Sequence, residues 1–181
     1  MRARAAVVTV ALAVATVVPA ANAAAVGQHA GVQQHCVVDV VGQADDGELI
    51  MGTERCFETF AEVTSYASGG DVLLPADMGP SEFAASSVAA VSSYAIGIHY
   101  TGRYGTGSSI TVVGSSCTGG WWHPPVWMRY DMSSTHNGCP KIEHRTGTDG
   151  TGFASTTYGV GSTSNLNSAV ENNVGTVKYL P

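Results

Sequence analysis

Charge is scarce in this chain. Of its 181 residues only 12% are charged, about half the usual share near 25%. That shortage argues against a coiled coil, a helical bundle and a charge-driven disordered chain. The formal charge is −6, so the basic patch that a nucleic-acid partner calls for has no support. Close cysteine pairs of the C-x2-C kind are missing, which argues against a zinc site. H-E-x-x-H and G-x-S-x-G are missing too, and with them the commonest metalloprotease and serine-hydrolase signatures. No catalytic residue is assigned and no enzyme is expected.

Past the first eighteen residues no stretch is long and apolar enough to span a membrane. That first stretch reads as an export leader over residues 1–23. Arg2 and Arg4 precede an apolar run from Ala5 to Val18, Pro19 breaks it, and Ala21-Asn22-Ala23 offers small residues for cleavage. The expected mature chain is secreted. It keeps six basic residues against 14 acidic ones, a net charge of −8.

What is present in quantity is Gly (22 residues) with many Ser and Thr, beside an ordinary apolar share of 44%. This composition favours β-structure with an uncharged polar surface. The charge is unevenly placed: ten of the acids and one base lie between Cys36 and Ala90, against four acids and five bases from Val91 onward. This break divides the chain into a flexible N-terminus (24–35), an acidic α+β module (36–80), a linker (81–93) and a β-sandwich (94–181).

Four cysteines in an exported chain favour two disulfides, and three connectivities are open to them. Cys36–Cys56 and Cys117–Cys139 keep each bridge inside one module, each closing a loop of about twenty residues and contributing about 3 kcal/mol by chain entropy.

In the first module, Cys36-Val-Val-Asp-Val-Val and Glu48-Leu-Ile-Met read as two strands of a hairpin joined at Asp45-Asp46-Gly47. Phe57, Phe60, Ala61, Tyr66 and Ala67 recur at helical spacing up to Gly69-Gly70. Asp71 to Pro75 reads as a short strand.

The second half contains a repeat. His99-Tyr-Thr-Gly-Arg-Tyr-Gly-Thr-Gly107 aligns without gaps on His144-Arg-Thr-Gly-Thr-Asp-Gly-Thr-Gly152, with six of nine positions identical at an offset of 45. Closing segments follow at an offset of 42, Asp131-Met-Ser-Ser-Thr and Asn173-Val-Gly-Thr-Val. Units this short cannot each bury a core, so two copies pairing their apolar faces would make one small sandwich. The matched histidines suggest a shared structural role rather than coordination.

Tyr100-x3-Tyr104-x2-Gly107, then Cys117-Thr-Gly-Gly-Trp121, Trp127 and Ser133-Ser134-Thr-His-Asn-Gly-Cys139, resemble the βγ-crystallin-type Greek-key module. The small secreted bacterial members, which include killer-toxin-like proteins and a metalloproteinase inhibitor, are the most similar. The resemblance covers about residues 94–181. It departs from the family pattern in ring spacing, and the second copy has Arg145 and Asp149 where the aromatics stand.

The resemblance implies a mainly β fold with two Greek keys packed as a sandwich. It also implies calcium sites whose stretches start with two Asn/Asp residues, end Ser/Thr-Ser and exchange ligands with each other. One site would combine Arg129, Tyr130 and Gly175 and has lost its ligands. The other would combine Glu171, Asn172 and Ser133 and could hold at most one weak Ca²⁺, the alternative being a calcium-independent loop held by hydrogen bonds; no cofactor is required. The expected function is a non-catalytic binding protein, acting as a monomer on an extracellular protease or a microbial cell-surface target. The alternative is a structural extracellular domain. Trp121, Trp122 and Trp127, with Pro124 and Pro125 among them, mark the candidate binding loop, and at least two of the three rings are expected to fill the core instead.

Overall fold

The computed structural model describes residues 33–86 and 94–181; the leader, most of the 24–35 segment and residues 87–93 of the linker lie outside them. The elements in chain order are β1 (His35–Gln43), β2 (Leu49–Met51), β3 (Arg55–Phe57), α1 (Phe60–Ala67), α2 (Pro80–Ala85), β4 (Ala95–Tyr100) and β5 (Ser109–Val113). Then come β6 (Trp121–Trp122), α3 (Val126–Arg129), β7 (Ser134–Asn137), β8 (Lys141–Arg145), β9 (Ala154–Tyr158), β10 (Thr163–Asn165) and β11 (Thr176–Leu180). The fold is mainly β, in two sheets.

Local chemistry accounts for the first elements. The β1–β2 hairpin turns on Gly47, whose φ of +93° is costly for any residue with a Cβ. The Asp46 carboxylate accepts the Glu48 amide at 2.9 Å inside that turn. Helix α1 starts in a capping box: Thr59 Oγ1 accepts the Glu62 amide at 3.2 Å, and Glu62 Oε2 accepts the Thr59 amide at 3.1 Å. Gly70 closes its far end by donating to the Ser65 carbonyl at 2.8 Å. The strand expected over 71–75 does not form. The Val72 amide goes to Ser68 Oγ at 2.9 Å, Pro75 has no amide to give, and Leu73 stands 79% exposed.

The larger sheet runs β10-β7-β4-β5-β1-β2, with β3 also on β1; the smaller runs β6-β11-β8-β9. The order repeats. In one sheet β7-β4-β5 lie side by side, in the other β11-β8-β9, so the fourth strand of each unit returns beside its first. The third strands, β6 and β10, are exchanged: each completes the sheet of the other unit. The two Gly-rich turns share a hydrogen-bond frame. Gly102 N donates to Thr106 O at 2.9 Å and Gly147 N to Thr151 O at 3.1 Å, while Ser108 N and Phe153 N reach Thr101 Oγ1 and Thr146 Oγ1 at 3.0 and 3.1 Å.

The boundary drawn from charge does not separate two cores. Strand β1 lies parallel to β5, with Cys36 opposite Ile110 and Val38 opposite Val112. Cys36, Val38 and Leu49 join Ile110, Trp122, Ile142, Val177 and Tyr179 in one apolar cluster between the sheets. On the other face of the larger sheet, Phe60, Val63 and Phe83 from α1 and α2 cover Ile98 and Tyr100 of β4. All six β4 residues are therefore buried. His35, expected in a flexible tail, is a buried strand residue bonded through Nδ1 to Ser109 Oγ at 2.9 Å. The first part of the expected linker is helix α2, with Phe83 fully buried. Eight of the ten acids that suggested a separate module are exposed, and surface charge says nothing about where a core ends.

Both bridges are those read from spacing, Cys36–Cys56 and Cys117–Cys139. The first joins residues directly opposite on β1 and β3.

Candidate binding cleft

The tryptophan segment divides its three rings among different tasks. Strand alternation sends neighbouring side chains of β6 to opposite faces. Trp122 points inward, is 3% exposed and donates Nε1–H to the Tyr179 hydroxyl at 3.0 Å. Trp127 packs against the same core and donates Nε1–H to Glu54 Oε1 at 3.0 Å. Between them Pro124-Pro125 leads into α3, whose Met128 is wholly buried. The segment Trp121–Arg129 thus runs from β6 through Pro124-Pro125 into the helical turn α3, anchored from below. Two of the three rings pack on the core, and Trp121 lies beside an open cleft.

That cleft, about 410 Å³, lies on the outer face of the smaller sheet and is lined by Trp121, Glu143, Arg145, Asp149, Gly150, Thr176 and Lys178. Register assembles it. Lys178 on β11 is flanked by Trp121 on β6 and Glu143 on β8, and Thr176 pairs with Arg145. Trp121 is pinned along one edge: its amide donates to the Gly47 carbonyl at 3.1 Å and its Nε1–H to the Asp46 carbonyl at 3.3 Å. The His123 ring meets it edge-on, 5.2 Å between centroids. Arg145 Nε donates to Glu143 Oε1 at 2.7 Å, and this bond, aided by Lys178 and Lys141, holds the carboxyl below its usual range. Asp149 accepts both the hydroxyl and the amide of Thr151, which lowers its pKa as well.

Sequence reasoning missed these charged residues, although the alternation of Lys141-Ile-Glu-His-Arg145 already places Lys141, Glu143 and Arg145 on one face.

Beneath the cleft the repeat histidines meet. His99 and His144 are both fully buried, with rings 5.4 Å apart. A single hydrogen-bonded file runs through them: Trp122 Nε1 to Tyr179 OH (3.0 Å), Tyr179 OH to His99 Nε2 (2.9 Å), His99 Nδ1 to Thr135 Oγ1 (3.0 Å), Thr135 Oγ1 to His144 Nε2 (2.8 Å), His144 Nδ1 to Ser155 O (3.4 Å). Its ends set its direction, because an indole N–H only donates and a carbonyl only accepts. With each hydroxyl passing its proton on in that direction, both imidazoles are neutral. Burial lowers both pKa values, His144 to about 4 and His99 well below the ordinary 6.5. The pair is a satisfied core network rather than a metal site.

The expected calcium residues are brought together, and a cation of the protein already sits on them. Ser133 Oγ donates to Asn172 Oδ1 at 3.0 Å. The Glu171 carboxylate takes the guanidinium of Arg103 in two bonds, Nε–Oε1 at 2.8 Å and Nη2–Oε2 at 2.5 Å, and its pKa falls for that reason. Arg103 comes from the first Gly-rich turn; its counterpart in the second is Thr148, 45 positions on. The oxygen donors fit a hard cation, but the carboxylate must first be released. On the other side of the repeat Arg129 points away, donating to the Pro124 carbonyl at 3.1 Å, and Gly175 contributes no side chain.

A prediction follows for the full mature chain. A 10⁻⁴ M site at about 10 mM calcium would add about 2.7 kcal/mol, which moves a melt by several degrees. With Arg103 in place the expected shift is well below that. Arg103→Gln should reveal it, and Ser133→Ala in the same background should remove it again. A melt of Arg103→Gln that ignores calcium would exclude this site.

The chain matches no protein-family model, no curated protein and no solved structure.

Proposed function

We propose that the mature chain is an exported, non-catalytic binding module on a βγ-crystallin-like body of two Greek keys, with the Trp121 cleft as its working surface. The observation that carries the reading is the cleft itself: a fixed aromatic ring beside four charged side chains, outside the core and on a rigid sheet. The strand order supports the body plan. In each unit the fourth strand lies beside the first, and the third crosses to the other sheet, the exchange that an intimately paired double Greek key requires. Export is compatible with the two disulfides and with the finding that, among the described residues, no helix is long and apolar enough to cross a membrane.

The histidine–hydroxyl pairs favour binding over catalysis. His35–Ser109, His99–Thr135 and His136–Thr163 are bonded at 2.8 to 3.0 Å, and each imidazole is buried, His35 against Phe60 and His136 against Phe83. A nucleophile needs access to substrate as well as a base. His123, at the cleft, directs Nδ1 to the Gly175 carbonyl at 2.9 Å.

The target class this reading prefers is the surface of a microbial cell. The test is sedimentation of the mature protein with insoluble cell-wall preparations, beside assays on a panel of metallo- and serine proteases. Retention on the walls that falls at least about tenfold, 1.4 kcal/mol, with Trp121→Ala is the expected result. Sub-micromolar inhibition of any protease that persists in Trp121→Ala would overturn it in favour of an inhibitor acting through another surface. Absence of retention would remove the cell-surface target.

A further inference from the structure

The cleft's chemistry also specifies what would enter it, provided that it is the binding surface. We propose that the Trp121 cleft is a saccharide subsite, taking a pyranose ring of a neutral glycan, with the ring's C–H face on the indole and its hydroxyls against Glu143, Arg145 and Lys178.

Size is the first argument. At about 410 Å³ the cleft falls at the small end of the 300–1,000 Å³ typical of small-molecule sites. It has room for one or two sugar rings and is too small for a folded partner. The lining is the second. Trp121 is the one aromatic among seven lining residues, and Glu143, Arg145, Asp149, Thr176 and Lys178 are polar. An apolar ligand would strip water from those groups and return no hydrogen bonds.

The balance of charge is the third argument, and it decides against an ionic ligand. Two carboxylates and two cations line the cleft, so their formal charges cancel. Donors and acceptors also alternate across it. Arg145 Nε meets Glu143 at 2.7 Å, and Lys178 faces Glu143 across the ladder. A hydroxyl both donates and accepts, so neighbouring hydroxyls on one ring suit a row in which each donor stands beside an acceptor. A carboxylate or phosphate accepts only and would leave Glu143 and Asp149 opposed to it.

Preorganisation is the fourth. The indole is fixed by its Nε1–H on the Asp46 carbonyl, by its own amide on the Gly47 carbonyl and by the His123 ring. Glu143 is fixed by Arg145, and all but Asp149 and Gly150 project from paired strands. Little side-chain freedom remains to be lost on binding. Asp149 holds the rim turn through Thr151.

The test uses the oxidised mature chain, with intrinsic fluorescence and calorimetry as readouts. Probes are hexasaccharides of β-1,4-glucose, α-1,4-glucose, β-1,4-mannose and β-1,4-N-acetylglucosamine, with polygalacturonate and poly-glutamate as anionic comparators. At least one neutral hexasaccharide should bind in the micromolar to millimolar range, with an affinity unchanged between about 50 and 500 mM salt. Trp121→Ala should weaken it at least about tenfold, Trp121→Phe should retain most of it, and Glu143→Gln should weaken it several-fold while the melt stays cooperative. Trp127→Phe, on the inner side of the loop, should leave it unchanged.

Binding confined to polygalacturonate and lost in salt would overturn the neutral-saccharide assignment. Neutral-glycan binding that survives Trp121→Ala would overturn the site. No glycan binding, with Trp121-dependent retention on cell-wall protein, would overturn the saccharide while leaving the binding-module reading intact.

Discussion

Acidification should destabilise this protein well above the pH at which carboxylates protonate. The responsible groups are His99, His136 and His144. His99 and His144 are neutral members of the file between the sheets. His136 binds Thr163 through Nδ1 at 2.8 Å and packs against Phe83, while its Nε2 is buried without a partner among the described residues. Burial lowers all three pKa values below 6.5, His136 and His144 to about 4. The unfolded chain therefore binds protons that the folded chain refuses. Their stabilising effect is complete above the unfolded pKa of 6.5 and is lost as pH falls through the folded values.

Between pH 7 and 5 the loss is about 2 kcal/mol for each of His136 and His144, and His99 adds in the same direction. About 4 kcal/mol or more is a large part of the 5–15 kcal/mol that holds a domain together. Urea titrations followed by circular dichroism should show the midpoint falling steadily from pH 7 to pH 5. In His136→Gln the slope should lessen by about 2 kcal/mol over the same window. A flat profile there, with loss only below about pH 4.5, would assign the acid response to the paired carboxylates Glu143 and Glu171, whose lowered pKa values act in that lower range.

The second large effect concerns the chain boundary. Residues 94–181 contain both copies of the repeat, and from sequence they look self-sufficient. Expressed alone, however, they would leave β5 with an unpaired edge and uncover Ile98 and Tyr100, which α1 and α2 bury. Exposing such side chains costs about 1.5–3 kcal/mol each. The clusters also lose Cys36, Val37, Val38 and Leu49. The expected result is a broad, non-cooperative melt with binding of a hydrophobic dye, whereas residues 33–181 melt in one sharp transition. A sharp transition for 94–181 alone would show that the first strands are an accessory layer.

Much of the local structure was legible. The hairpin at Asp45-Asp46-Gly47, the helix ended by Gly69-Gly70, both disulfides and the paired Gly-rich turns each depend on residues close in sequence. The shared core was not. Charge asymmetry pointed to two modules because the acids cover the solvent side of the first hundred residues, while Val37, Phe60 and Phe83 already had the apolar character that fuses the halves. The strand expected at Asp71 to Pro75 failed for want of a partner, which no local pattern supplies. The cleft was hidden for a related reason. Its residues come from β6, β8, β11 and the second turn, and only register brings Trp121, Lys178 and Glu143 into one row. The calcium residues could be named, but Arg103 could not, because its reach across 68 positions to Glu171 leaves no trace in spacing.

The placing of β1 has a consequence for how the chain folds. Its ladder with β5 joins residues 74 apart, as in His35 opposite Ser109, so the first described strand to emerge in synthesis must wait for a partner made much later. Contacts of such high order are slow to form, and a waiting apolar strand is open to pairing with other chains. The Cys36–Cys56 bridge closes a loop of only 20 positions and fastens β3 along one side of β1 long before β5 exists. Early oxidation would thus act as a built-in chaperone, occupying one edge of β1 and halving the surface through which nascent chains could aggregate.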